Sequence, residues 1–156
     1  MAEIGIIGSI FSIAAVGASL ATNLYDAADV MYHADQQILD LAKHVLQFTA
    51  VLKHMGQVLE TEKSNCSKEV IRDIQRIKRS CKRTFREIKA TLKSRRSQRF
   101  VSFRWLFKRR KALELQTRLD SHQSMLQCII HTLTLSNLPR INSRSAVPGL
   151  ISLANH

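Results

Sequence analysis

Residues 38–59 read ILDLAKHVLQFTAVLKHMGQVL, and within them Ile38, Leu41, Val45, Phe48, Leu52, Met55 and Leu59 recur at steps of three and four. A strand with one buried face would alternate at steps of two, whereas these steps keep all seven residues on one side of a helix. The pattern is a heptad seam, so the spacing predicts a helix whose apolar stripe is covered by other helices, ending near Glu62 before the polar Lys63, Ser64 and Asn65.

The same reading extends to both sides. Downstream, Val70, Ile74, Ile77, Cys81, Phe85, Ile88 and Leu92 repeat the seam, with Ser67 placed to cap the helix. Arg72, Arg76, Arg79, Lys82, Arg83, Arg86, Lys89 and Lys93 fall on its other faces. A polar and basic linker, Ser94 to Arg99, then leads to the aromatic stretch Phe100 to Phe107. A fourth helix carries Ala112, Leu115, Leu119, His122, Leu126, Ile129 and Leu133 and stops before Pro139. Upstream, Ile6, Ile10, Ile13, Gly17, Leu20 and Leu24 form one face of a helix running to about Met31, with Ser9, Ser12, Ser19 and Asn23 on another face. Asp35 is placed as the cap of the helix that follows.

With 156 residues, 5 Gly and 2 Pro, the chain is one domain's length and lacks the turn punctuation of a β fold. The expected fold is all-α: an antiparallel four-helix bundle over residues 1–138, with residues 139–156 as a flexible tail.

The formal charge of +12 is not spread evenly. Residues 1–62 hold two bases against seven acids, residues 63–111 nineteen against three, and the remainder is near neutral. From Ile88 to Leu113 there is no acid, while ten Lys or Arg share the stretch with Phe100, Phe103, Trp105 and Phe107. Cations beside aromatics suit an anionic lipid surface, so Arg95, Arg96, Arg99, Arg104, Trp105, Lys108, Arg109, Arg110 and Lys111 are the expected anionic-surface residues. Single-stranded nucleic acid is a less favoured partner for the same groups, and an end plug for the bundle is the structural alternative. The run from Lys108 to Lys111 also resembles a short nuclear-localisation signal, although the solvated first turns of a helix produce such runs often.

Residues 4–25 contain no charged side chain, a run just long enough to span a bilayer. Glu3 before it and Asp26 and Asp29 after it are unlike the flanks of a secretory signal. Three cysteines at wide spacings, Cys66, Cys81 and Cys128, are expected to pack as buried or half-buried small hydrophobes and to be reduced, which favours the cytosol or nucleus over a secreted disulfide scaffold; the expected location is cytoplasmic. No phosphate loop, nucleophile elbow or His-Glu-x-x-His pattern occurs. His33 and His44 are about 16 Å apart along a helix, too far to share a metal. The expectation is therefore a non-enzyme with no cofactor, no metal and no small-molecule substrate.

Taken together, the opening MAEIGIIGSIFSIAAVGASLATNLYDAAD, the heptad helix and the segment FRWLFKRRKALELQTRLDSHQSMLQCIIHTL resemble the fungal HeLo-like N-terminal domain, over residues 1 to about 138. That domain heads fungal STAND (NLR-like) proteins, and a close variant heads a protein of azaphilone pigment gene clusters. The resemblance implies a helical bundle whose first helix leaves to insert in a membrane, as in HeLo-type cell-death effectors. By that analogy Ile4, Ile6, Ile7, Ile10, Phe11, Ile13, Val16, Leu20 and Leu24 are the membrane-insertion residues. No nucleotide-binding STAND domain follows, so the switch is expected to come from another molecule. The leading expectation is a signalling or cell-death module that self-associates and attaches peripherally to anionic membrane. The alternative is a protein-interaction adaptor, including an accessory protein of a secondary-metabolite cluster. Behind both stands a nucleic-acid-binding bundle.

Overall fold

The heptad stripes become four helices: α1 (Ala2–Asp29), α2 (Gln36–Thr61), α3 (Lys68–Lys93) and α4 (Val101–Ser136). This computed structural model describes residues 2–29, 36–62, 66–93 and 101–136, with side chains described at 5–28, 36–62, 66–92 and 109–136. The expected Asp35 cap and the expected tail at 139–156 lie outside the described residues. The cap on α3 is present: the Val70 amide donates to Ser67 Oγ at 3.2 Å, satisfying an amide that the first turn leaves without a helical partner.

Each helix touches two others. α1 packs on α2 and α3, and α4 closes the square against α2 and α3, which leaves α1 and α4 on one diagonal and α2 and α3 on the other. Paired contacts give the directions. Gly17 meets Thr49 while Phe11, six residues earlier, meets Gly56, so α1 and α2 run antiparallel. Lys78 reaches Ser9 and Phe85 reaches Gly17, so α1 and α3 run parallel. Ser80 meets His122 and Glu87 meets Arg118, so α3 and α4 are antiparallel. Consecutive helices thus alternate in direction, as the sequence predicts, while two lateral faces pair parallel helices.

The seams fill one continuous core. All six of the stripe residues Ile6, Ile10, Ile13, Gly17, Leu20 and Leu24 are buried, together with Ile7 and Ala14. α2 contributes Ile38, Leu41, Val45, Phe48, Leu52, Met55 and Leu59; α3 contributes Ile74, Ile77, Cys81, Phe85 and Ile88. At mid-height the rings of Phe48 and Phe85 meet edge to face, centroids 6.0 Å apart, and His122 tilts against Phe48 at 6.3 Å. Thr49 is buried in this layer, its hydroxyl donating to Val45 O at 2.8 Å. Fully burying one large aliphatic or aromatic side chain contributes about 1.5–3 kcal/mol, so the seam rather than any polar contact holds the bundle.

Three expectations need correction. The aromatic stretch expected ahead of the fourth helix belongs to it from Val101 onward, so Lys108 to Lys111 sit in its third turn. Between the buried Leu126 and Leu133 of α4 it is Ile130 rather than Ile129 that is buried, because a straight helix drifts from a strict seven-residue repeat. Cys81 is buried and Cys66 half-buried, but Cys128 is exposed on the outer face of α4.

Candidate functional site: a basic groove between α1 and α3

On α3, Asp73 pairs with Arg76 and Glu87 with Arg83, and Glu87 also faces α4. There Glu87 accepts from Lys111 Nζ at 3.0 Å and from Arg118 at 2.9 Å. These cations hold the Glu87 carboxyl below the ordinary carboxylate range, Lys111 contributing most. Lys111 and Arg118 also bond Glu114. Lys111, one of the expected anionic-surface residues, belongs to this inter-helix network.

The α1 flank of α3 carries Lys78, Lys82, Arg86 and Lys89 and no acid. Lys82, Arg86 and Lys89 recur at steps of four and three, so they form one row. Opposite them on α1, Ser12, Val16, Ser19 and Asn23 recur at steps of four, three and four. Because α1 and α3 run parallel, the two rows stay in register and form the walls of a groove of about 490 Å³. Ile13, Leu20 and Phe85 make its floor. Val16 is 56% exposed on its rim. At the α1 N-terminal end Lys78 Nζ donates to Ser9 Oγ at 3.1 Å, and that hydroxyl donates to Ile6 O at 2.7 Å. Among the described residues, Lys82, Arg86 and Lys89 have no carboxylate within ion-pair distance.

Most of the residues assigned to membrane insertion are core residues in this state. Ile6, Ile7, Ile10, Ile13, Leu20 and Leu24 are buried, Phe11 is half-buried against Gly56, and Val16 faces out. The side chain of Ile4 is outside the described residues. By length and composition Gly5–Ala28 could cross a membrane, a property shared by buried core helices. Of the anionic-surface set, Arg109 and Arg110 are exposed on α4. Arg95, Arg96 and Arg99 lie outside the described residues, as do the side chains of Arg104, Trp105 and Lys108.

The groove joins Ser12, Ser19 and Asn23 to Lys82, Arg86 and Lys89. Both rows are visible in the sequence at helical spacing, but spacing does not say that α1 and α3 are neighbours. Among the described residues no cluster of three or more His, Cys, Asp and Glu is placed to hold a metal. His44 instead lies 2.7 Å from Asp40 O and 3.5 Å from Asp120, and His54 is exposed. The chain matches no protein-family model, no curated protein and no solved structure.

Proposed function

We propose that this chain is a non-enzymatic signalling module, of the cell-death type suggested by its resemblance to the HeLo-like domain, that docks on anionic membrane and self-associates there. The observation that carries this reading is the one-sided charge of α3. Arg72, Arg79, Lys82, Arg86 and Lys89 are exposed and have no ion-pair partner among the described residues, whereas Asp73 and Glu87 are paired with Arg76, Arg83, Lys111 and Arg118. A rigid cationic face of this kind gains about 1 kcal/mol for each base brought to an anionic bilayer surface.

Self-association is supported by the outer face of α4. Leu113, Met125 and Leu135 are exposed there, 45–64% each, together with Cys128 and uncharged Thr117, Ser121 and Ser124. In the soluble bundle α1 is the stored element, since its apolar stripe is in the core. Its release needs a bilayer or a second chain to cover what it leaves.

The same outer face of α4 gives the adaptor reading its footing, as a surface for a different protein. Sedimentation with vesicles separates the two. The chain should pellet with phosphatidylserine vesicles at low salt, release as salt rises, and ignore phosphatidylcholine vesicles. Absence of binding to the anionic vesicles removes the membrane reading and leaves the adaptor.

A further inference from the structure

The α1/α3 groove has a composition that a flat electrostatic surface does not need. One wall is cationic, the other offers two hydroxyls and an amide, and the floor is apolar. A solvated basic face attracts any anion, but an apolar floor under it rewards only a ligand with both an anionic head and a hydrocarbon body.

Size narrows the occupant further. The cavity of about 490 Å³ lies within the 300–1,000 Å³ range of small-molecule sites. From Ser12 to Asn23 the α1 wall is about 16 Å long. A helix of that length and of 10–12 Å diameter would occupy at least about 1,300 Å³ and would stand mostly outside the groove. A single alkyl chain ending in a phosphate fits lengthwise. Such a chain would lie along Ile13, Val16 and Phe85 with its head toward the Asn23 end of the groove, where Arg86 and Lys89 stand opposite Ser19 and Asn23. Arg and Lys give charge-assisted bonds to phosphate oxygens, and the guanidinium can do so through two parallel donors.

We infer that the α1/α3 groove is a binding site for a single-chain anionic lipid with a phosphate monoester head, seated between Ser12, Ser19 and Asn23 on α1 and Lys82, Arg86 and Lys89 on α3. This rests on the cationic face used above but adds a defined, saturable site to it. It also gives α1 a ligand that bridges it to α3, so occupancy bears directly on whether the helix stays in the bundle.

Calorimetric titration of the full chain with twelve-carbon lysophosphatidic acid, kept below its micelle concentration, tests the site. Saturable binding of one lipid per chain is expected. Dodecylphosphocholine, with the same chain length and a zwitterionic head, and inorganic phosphate, with no chain, should each bind at least tenfold more weakly. Val16→Trp fills the groove from an exposed position and should weaken the lipid at least tenfold, as should the exposed-site double variant Lys82→Gln/Arg86→Gln. Lys53→Gln, on the diagonally opposite helix, should stay within twofold of wild type. Equal affinity for inorganic phosphate, or unchanged lipid affinity in both groove variants, overturns the inference. Vesicle sedimentation of Val16→Trp keeps the two readings apart. Anionic vesicles should still bind this variant, since every base is retained, so loss of the lipid alone identifies the groove. Groove binding by a wild-type chain that ignores anionic vesicles would sink the surface-docking proposal and leave the site standing.

Discussion

Gly17 of α1 and Phe85 of α3 stand so close that a Cβ on the glycine would lie 2.9 Å from the ring's Cζ, and 2.4 Å from Thr49 Oγ1 on α2. Both neighbours are buried and the ring is fixed against Phe48, so neither can withdraw cheaply. Gly17→Ala gains up to about 1 kcal/mol of helix propensity but overpacks the central layer at a cost of about 1–3 kcal/mol, so net destabilisation is expected. Gly8, by contrast, has nothing within 4 Å of the same position. Gly8→Ala should stabilise by about 0.5–1 kcal/mol. Thermal melts of the two variants should therefore move in opposite directions.

The three thiols should react in the order of their exposure. Burial pushes the Cys81 thiol up to about 12, which removes the thiolate that attacks reagents at neutral pH. Cys128 is exposed, and Cys66 is half-buried with its Sγ 3.6 Å from Glu62 O. Titration with an aromatic disulfide reagent should consume Cys128 first, Cys66 more slowly and Cys81 only on unfolding. Rapid reaction of all three in the native protein would mean that α3 does not sit in the core as described.

How much of this was legible beforehand follows from what spacing encodes. Steps of three and four name the buried face of each helix, and Ile10, Val45, Ile74 and Leu115 are buried as their seams require. Spacing does not name the neighbour. Lys111 reads as one more base in a basic run, and only the packing of α4 on α3 brings it to Glu87. Lys82 and Ser12 likewise read as solvated positions on two separate helices until the parallel pairing of α1 and α3 makes them opposite walls. Cys128 reads as a small hydrophobe by residue type, but it stands two residues beyond the buried Leu126, about 200° round the helix, and is exposed.

His122 should make the bundle less stable in mild acid. Its ring is half-buried, 3.0 Å from Ser80 Oγ and against Phe48; burial first, and then the Arg118 cation, lower its pKa below the ordinary 6.5. The unfolded chain therefore takes up the proton more readily than the folded one, so this contribution is complete above about 6.5 and is lost as pH falls below it. Between pH 7 and pH 5.5, above the range of ordinary carboxylates, the melting temperature of wild type should drop more than that of His122→Gln. An equal drop in both would place the pH sensitivity elsewhere.

Whether α1 ever leaves the bundle can be read from charges placed on its different faces. Ile13 is buried, so Ile13→Glu puts an unpaired carboxylate in the core and should destabilise the soluble protein by about 3 kcal/mol or more, confounding any membrane assay. Ser9 is also a poor probe, because its hydroxyl is engaged by Lys78 and Ile6. Ala15 and Ser12 are exposed, and a carboxylate at either should change stability by no more than about 0.5 kcal/mol. Ser12 lines the groove and Ala15 does not, which separates an effect on the groove from one on insertion. In the middle of a membrane-spanning helix the same carboxylate costs about 2.5–3.5 kcal/mol, enough to suppress insertion roughly a hundredfold. If α1 inserts, Ala15→Glu and Ser12→Glu should melt like wild type and both fail to release dye from phosphatidylserine vesicles. Loss in Ser12→Glu alone would assign the effect to the groove. Normal melting with wild-type dye release in both variants would mean that α1 stays in the bundle and that the membrane is met by α3 alone.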